Sequence, residues 1–303
     1  NKEIDAWLIP TIFWPEIKLI KAKKIVVVPD IILYDFPIHF NIPHFEMVNN
    51  NLHRVIACAD QFITYSKYVK ENHLIKNFSI NSENISLIHH GFIDLSKYLI
   101  KDSALNIIQN YQMKFLKNDK YLANYDFEDI KFIFYSSQIR PHKNFINLLK
   151  AYKILLREKF INIKLIVTAD LFTNPETKSF IINNRLQNDI IQLFNVPSNV
   201  LAALNCKAIC SVNPTLFEGG FPFTFLEAYT VGTPSIMGDI PMTSELIEDE
   251  NLKNIMLFNP YSVKDMVDKI EWGINNKELL FKKQEKLYLK MKERSWSDVA
   301  KDY

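Results

Sequence analysis

Four of the six glycines in this 303-residue chain, Gly219, Gly220, Gly232 and Gly238, fall within SVNPTLFEGGFPFTFLEAYTVGTPSIMGDIPMTSE, residues 211–245, and two glutamates, Glu218 and Glu227, bracket the first pair. A glycine pair ahead of a helix suits an anion: there is no Cβ to hold a phosphate off the main chain, and the first-turn amides are unpaired at the positive end of the helix dipole. Glu227 is flanked by FTFL and AY, so its charge sits in an apolar helix and requires a partner. The plain alternative makes Glu218 a loop cap and Glu227 part of a solvated face. Further upstream, SSQIRPHKN packs Arg140, His142 and Lys143 into four residues. Two cations after an apolar run are suited to a diphosphate; a solvated charged loop is the plain alternative.

The surrounding pattern supplies strands to carry these groups. AICSV (208–212) reads as a buried strand, Pro222 suits the first position of a helix, and Gly232 its closure. The strand set KFIFYSS (131–137), KLIVTAD (164–170), DIIQLFN (189–195), AICSV, TPSIM (233–237) and NIMLF (254–258) alternates with helical segments. The first of these, 144–158, has Phe145, Leu148, Leu149, Tyr152 and Leu155 at helical spacing. This predicts a complete doubly wound domain whose ligand crevice lies at the carboxyl ends of its strands. An earlier set, DAWLIP (5–10), KIVVVPD (24–30), QFITYS (61–66) and ISLIHHG (85–91), argues for a second parallel sheet. Residues 96–129 lose periodicity and read as a connector with a helix over 104–117; helices over 262–275 and 278–293 follow the last strand. IKLIKAKK (17–24) reads as a solvated helix face, with contact to an anionic membrane surface as the functional alternative.

Composition narrows the classes. The chain is 48% hydrophobic with 36 basic and 34 acidic side chains, enough for two cores and without a global pull toward nucleic acid. Cys58, Cys206 and Cys210 are too few and too irregular for a disulfide framework or a zinc site, which favours a reducing cytoplasm. There is no apolar run of the ~20 residues that span a bilayer, and NKEIDAWLIP lacks the regions of a secretory signal.

FEGGFPFTFLEAYTVGTPSIM resembles the donor-site signature of the retaining GT-B glycosyltransferases of family four, the glycosyl transferases group 1. That signature separates two glutamates by seven residues; Glu218 and Glu227 stand nine positions apart, so the glycine loop is expected to be one residue longer. GTPSIM and Glu245 fall where the pattern expects them. Lys143 matches the family's lysine, Gln138 stands where its arginine often is, and Arg140 takes that role from a shifted position. Ser66 in ITYSKYVK and the run ISLIHHGFID resemble landmarks near the end of the amino-terminal domain. Asp30, in VVVPDIILYDFP, matches an aspartate that follows a histidine which helps hold the donor sugar, but Pro29 occupies the histidine position. His39 and His44 are candidates to replace it, with ordinary loop histidines as the alternative. The closing ERSWSDVAKDY resembles the family's last helix, which crosses back onto the amino-terminal domain with Trp296 as an apolar anchor.

The resemblance implies an α/β GT-B fold, two doubly wound Rossmann-like domains facing a cleft, the first incomplete. Residues 1–125 form an acceptor-side domain with connector, 126–290 the donor-binding domain and 291–303 the crossover helix. The earlier strands and glycine-rich first loop of the family are not present before residue 1, which implies a shortened piece or a domain completed by a partner chain. The implied reaction is transfer from a UDP- or GDP-linked sugar to a glycan or glycolipid acceptor, without metal or other cofactor. Glu218, Lys143 and Arg140 carry the chemistry. Glu227, Gly219, Gly220, Phe221, Thr224, Gly238 and Asp30 hold the donor. The implied place is the cytoplasm or the inner face of the membrane. A non-catalytic GT-B subunit supporting a partner is the rival reading, and a nicotinamide-dependent enzyme a weaker one, since no G-x-G-x-x-G follows any strand.

Overall fold

The computed structural model describes residues 3–38, 45–99, 103–115 and 127–303, so His39 and His44 lie outside the described residues. The chain divides into two compact units, one made of Asn1–Gly91, Phe217–Phe221 and Arg294–Tyr303, the other of Phe92–Leu216 and Pro222–Glu293.

The first unit carries β1 (Ala6–Ile9), β2 (Lys23–Val27), α1 (Ile32–Asp35), α2 (Phe45–Cys58), β3 (Gln61–Thr64) and β4 (Ile85–Leu87). These strands form a parallel sheet in the order β1-β2-β3-β4. A π-helical stretch, Val69–Asn77, follows β3 and buries Val69, His73 and Leu74. The lysines of 17–24 do not form the expected helix face. Pro15–Leu19 make one 3₁₀ turn around buried Ile17, and Lys23 and Lys24 already belong to β2, where Lys24 pairs with Asp60 at 3.3 Å.

The second unit runs α3 (Ala104–Phe115), β5 (Phe132–Tyr135), α4 (Phe145–Arg157), β6 (Lys164–Val167), α5 (Pro175–Asn183), β7 (Ile190–Gln192), α6 (Ser198–Lys207) and β8 (Cys210–Asn213). It continues with α7 (Thr224–Tyr229), β9 (Ser235–Gly238), α8 (Pro241–Leu246), α9 (Glu250–Met256), β10 (Leu257–Phe258), α10 (Val263–Asn275) and α11 (Lys277–Lys292). α12 (Trp296–Asp302) belongs with the first unit. The helical spacing of α4 is realised: Phe145, Leu148, Leu149, Tyr152 and Leu155 are all buried. Part of the expected connector falls in the second unit, because Ala104 and Ile108 of α3 are buried in one cluster with Val200, Ala203 and Leu204 of α6.

Two local expectations fail. NIMLF is mostly helix: Asp249 Oδ1 accepts the Asn251 and Leu252 amides as an N-cap, α9 runs to Met256, and only Leu257–Phe258 remain as strand. Pro222 does not open α7. Its carbonyl accepts the Phe225 amide at 3.3 Å in a separate turn, and the helix starts at Thr224. The closure at Gly232 is as expected: Gly232 has φ 95°, its amide bonds the Tyr229 carbonyl, and the Thr233 amide bonds that of Ala228, the two reverse bonds of a Schellman ending.

All strands of the second sheet are parallel, in the order β10-β9-β8-β5-β6-β7. Numbered within the unit this is 3-2-1-4-5-6, so the direction of winding reverses between β5 and β8. A ligand of such a sheet binds outside the carboxyl ends of the strands at that reversal. The segments leaving those two ends are the one with Arg140 and Lys143 and the one that continues into Glu218.

Candidate active site

β5 is buried throughout, and its exit is turned at once: the Ser137 amide donates to Thr168 Oγ1 at 3.0 Å. Pro141–Lys143 then make one 3₁₀ turn, and Asn144, at φ 58° and ψ 33°, leads into α4. The main chain here is tied to its neighbours. The His142 carbonyl accepts the Leu216 amide at 2.8 Å and the Thr215 hydroxyl at 3.2 Å, while Tyr135 donates its hydroxyl to the Lys143 carbonyl at 3.1 Å. Arg140 is exposed and donates from Nη2 to Gln138 Oε1 at 3.0 Å, so the two residues that compete for the family's arginine position lie together. His142 is buried, and burial, helped by the charges of Lys143 and Arg140, pushes its imidazole down to about 3. It contributes shape to this loop and no charge at neutral pH.

Beyond β8, Asn213 Nδ2 donates to Thr224 Oγ1 at 2.9 Å and its Oδ1 accepts the Thr215 amide at 3.2 Å, joining the strand end to the first residue of α7. Glu227 lies one turn further on. Burial pushes its carboxyl up to about 7, and among the described residues no hydrogen bond or ion pair reaches it. Gly238 ends β9 with no room for a side chain, since a Cβ would stand 2.8 Å from the Thr215 carbonyl oxygen; its own carbonyl accepts the Thr243 hydroxyl at 2.9 Å. Lys143, Arg140, Thr224, Glu227 and Gly238 thus all belong to the second unit, on the carboxyl side of β5, β8 and β9.

Glu218, Gly219, Gly220 and Phe221 group with Asp30 in the first unit. A Cβ at Gly219 would stand 2.4 Å from the Pro29 carbonyl oxygen and 3.5 Å from Asp30 Oδ2. A Cβ at Gly220 would meet His90 Nε2 at 2.9 Å. The glycine pair is therefore required by the approach of the protein's own backbone and of His90, a reason that sequence alone did not supply. Burial, then the neighbouring His89, pushes His90 down to about 4. Asp30 also accepts the Ile32 amide at 3.2 Å, which fixes the turn after Pro29.

Phe217, next to Glu218, sits among His73, Tyr68 and Phe36, with ring centroids 5.8, 5.8 and 6.3 Å away. His73 Nδ1 accepts the Ile31 amide at 3.0 Å, which leaves the proton on Nε2, 2.7 Å from Asp35 Oδ2. The other Asp35 oxygen accepts the Tyr68 hydroxyl at 2.7 Å. None of these contacts was legible in the sequence, because His73 is presented by a π-helical stretch, with Tyr68 just before it, whose spacing matches neither a helical nor a strand pattern.

The sequence profile of the family described as Glycosyl transferases group 1 matches residues 117–294. No curated protein sequence matches the chain significantly. Among solved structures, Anabaena Alr3699/HepE in complex with UDP superposes with a TM-score of 0.69 at 16% identity, covering 99% of this chain and 76% of that one. A glycosyltransferase from Rickettsia africae ESF-5 gives 0.63 at 19% identity, covering 93% and 69%. Sucrose-phosphate synthase from Thermosynechococcus elongatus gives 0.66 at 13%, covering 93% and 66%. At these identities the likeness is one of fold, the GT-B fold of these glycosyltransferases. Among the described residues no helix is long and apolar enough to cross a membrane.

Proposed function

The chain belongs to the glycosyl transferases group 1, and from that premise we propose that it moves a sugar, with retention of configuration, from a UDP- or GDP-linked donor to a glycan or glycolipid acceptor. The observation that carries this reading is the position of the Arg140–Lys143 loop and of the segment leading to Glu218 at the carboxyl ends of β5 and β8, where the strand order reverses. A solved relative of the same fold in complex with UDP-glucose supports a nucleotide sugar as donor.

In this reaction the bond between the anomeric carbon and the diphosphate oxygen breaks, and the acceptor oxygen bonds that carbon on the face the leaving group departs from. The acceptor proton passes to a phosphate oxygen, so the protein supplies no base. What it supplies is charge for the departing diphosphate, from Lys143 and Arg140, in place of a metal ion. Fixed donors of this kind are each worth a few kcal/mol when they do not have to reorganise. Glu227 accepts hydrogen bonds from the ribose hydroxyls, and Glu218 and Asp30 face hydroxyls of the sugar. Gly219, Gly220, Phe221, Thr224 and Gly238 shape the donor pocket. We place the reaction in the cytoplasm or at the inner face of the membrane, where glycolipid acceptors reside.

The test is calorimetric titration of the chain with UDP- and GDP-sugars, followed by transfer assays with and without chelator. Binding heat, transfer that survives chelation, and a fall of roughly 10²–10³ in kcat for Lys143→Ala are expected. The exposed Lys150→Ala is the matched control. A chain that binds none of these donors is a structural subunit, and the reading fails; an active Lys143→Ala removes that residue from the mechanism.

A further inference from the structure

The side chain of Asn144 is buried, and its Nδ2 donates to two main-chain carbonyls at once, Pro214 at 2.9 Å and Pro260 at 2.8 Å. The amide orientation follows from the partners, since only the nitrogen can face two carbonyl oxygens. These carbonyls lie just past the carboxyl ends of β8 and β10, and Asn144 itself lies past that of β5. Three strand-end loops that are remote in sequence are therefore held by one amide group. The backbone of Asn144 is left-handed, a conformation that asparagine and glycine tolerate and most residues do not. Glycine has no donor there, aspartate would set oxygens against oxygens, and serine offers one hydrogen where two are used. Position 144 thus has two independent requirements, and asparagine meets both.

The residue immediately before it is Lys143. Its carbonyl is held by Tyr135, and that of His142 by Leu216 and Thr215. With Asn144 fixed as well, the main chain is anchored on both sides of the lysine Cα. We propose that Asn144 is a positioning residue for Lys143: its amide sets the distance between the loop after β5 and the loop after β8, and so the reach of the Lys143 ammonium toward the diphosphate of the donor. This rests on the donor-site reading given above. It goes beyond that reading in assigning a role to a side chain that touches no ligand.

The test uses Asn144→Gly, which keeps the left-handed backbone without strain and removes the side chain with its amide, and Asn144→Asp, which keeps the size and reverses the polarity. Both are compared with Lys143→Ala and with the double variant Lys143→Ala/Asn144→Gly, at a temperature well below every melting point. Dissociation constants are measured for UDP and UMP and for GDP and GMP, together with hydrogen exchange of the Leu216 amide, which bonds the His142 carbonyl. Asn144→Gly is expected to weaken the favoured diphosphate about tenfold while the monophosphate changes less than threefold, and to speed exchange at Leu216. Asn144→Asp is expected to be at least as severe. In the Lys143→Ala background the Asn144→Gly effect on diphosphate binding is expected to vanish, because the group it positions is gone. Equal weakening of mono- and diphosphate, or the same tenfold loss with and without Lys143, overturns the proposal in favour of a merely structural role. Wild-type diphosphate affinity and Leu216 exchange in Asn144→Gly overturn it as well. If the unaltered chain binds neither UDP nor GDP, the donor-site reading itself falls and takes the proposal with it.

Discussion

Replacement of Glu227 by glutamine is expected to stabilise the unliganded protein and weaken its hold on a nucleotide. Burial raises the Glu227 carboxyl from 4.5 to about 7. At 1.36 kcal/mol per pH unit, keeping this group ionised in the folded chain costs about 3 kcal/mol. The folded chain retains the proton to higher pH than the unfolded chain. Stability therefore falls as pH rises from 4.5, most steeply up to 7, and levels off above that. Glutamine carries no such charge. Glu227→Gln should match the wild type within about 1 kcal/mol at pH 4.5 and exceed it by about 3 kcal/mol at pH 8, a melting-point gain of roughly 5 °C. With saturating UDP or GDP present this advantage should shrink or vanish. Hydroxyls that donate to a carboxylate are worth about 1.5–3 kcal/mol, so the variant should bind roughly 10- to 100-fold more weakly at pH 8. Differential scanning fluorimetry at the two pH values and calorimetry at pH 8 are sufficient. A stability difference that does not change between pH 4.5 and 8 refutes the buried-charge argument; unchanged nucleotide affinity refutes the ribose contact.

Gly219→Ala should cost about 1–3 kcal/mol, because the new methyl meets the Pro29 carbonyl oxygen, which is main chain and cannot swing away. Gly232→Ala meets no atom within 4 Å and should cost only the strain of φ 95°, about 1–2 kcal/mol. Urea unfolding measures both, and a neutral Gly219→Ala would contradict the close approach. His90 and His142 give a second pH signature, opposite in sign to that of Glu227. Their folded values of about 4 and about 3 lie below the ordinary 6.5, so the unfolded chain takes up protons first and stability is lost as pH falls from 6.5. In the Glu227→Gln background, where the opposing trend is absent, a drop from pH 7.5 to 5 should cost about 2 kcal/mol per histidine. His142→Gln should remove its share of that slope; an unaltered slope would show that the imidazole is not held neutral.

The strands and the long helices were legible because their signals are local: β5 is an unbroken apolar run, β6 is apolar after Lys164, and α4 repeats its buried residues at helical spacing. The errors arose where one local hydrogen-bonding group overrides a run. Asp249 caps α9 and converts NIMLF to helix, and the Pro222 carbonyl closes a turn that delays α7. The site was legible only as a set of chemical types. Glu218, Glu227, Arg140 and Lys143 announce themselves by charge in apolar or glycine-rich settings, but Asn144 and Phe217 act through partners far along the chain, and their spacing has no pattern. Gly219 shows the limit most clearly. Its composition signal was real, yet the atom that demands it is the carbonyl of Pro29, which no sequence pattern relates to it.

The two kinds of charge in this site are handled in opposite ways, and the difference decides which group controls binding near neutral pH. On the cationic loop the main chain is fixed by buried hydrogen bonds, and His142, lying between Arg140 and Lys143, is kept neutral down to about 3. A third positive charge that came and went with pH would alter the field offered to a diphosphate, and this arrangement prevents it above pH 4 or so. Preorganised charge of this kind stabilises a departing diphosphate without having to be assembled at the moment of reaction. Glu227 is left the other way, half-buried, without a protein partner for its carboxylate among the described residues, and poised at about 7. A ligand that brings hydroxyl donors lowers that value, so its binding releases a proton whenever the medium is near neutrality. The pH profile of nucleotide binding between 6 and 8, after correction for the ligand's own phosphate titration, should therefore belong to Glu227 and not to the loop that carries the positive charge.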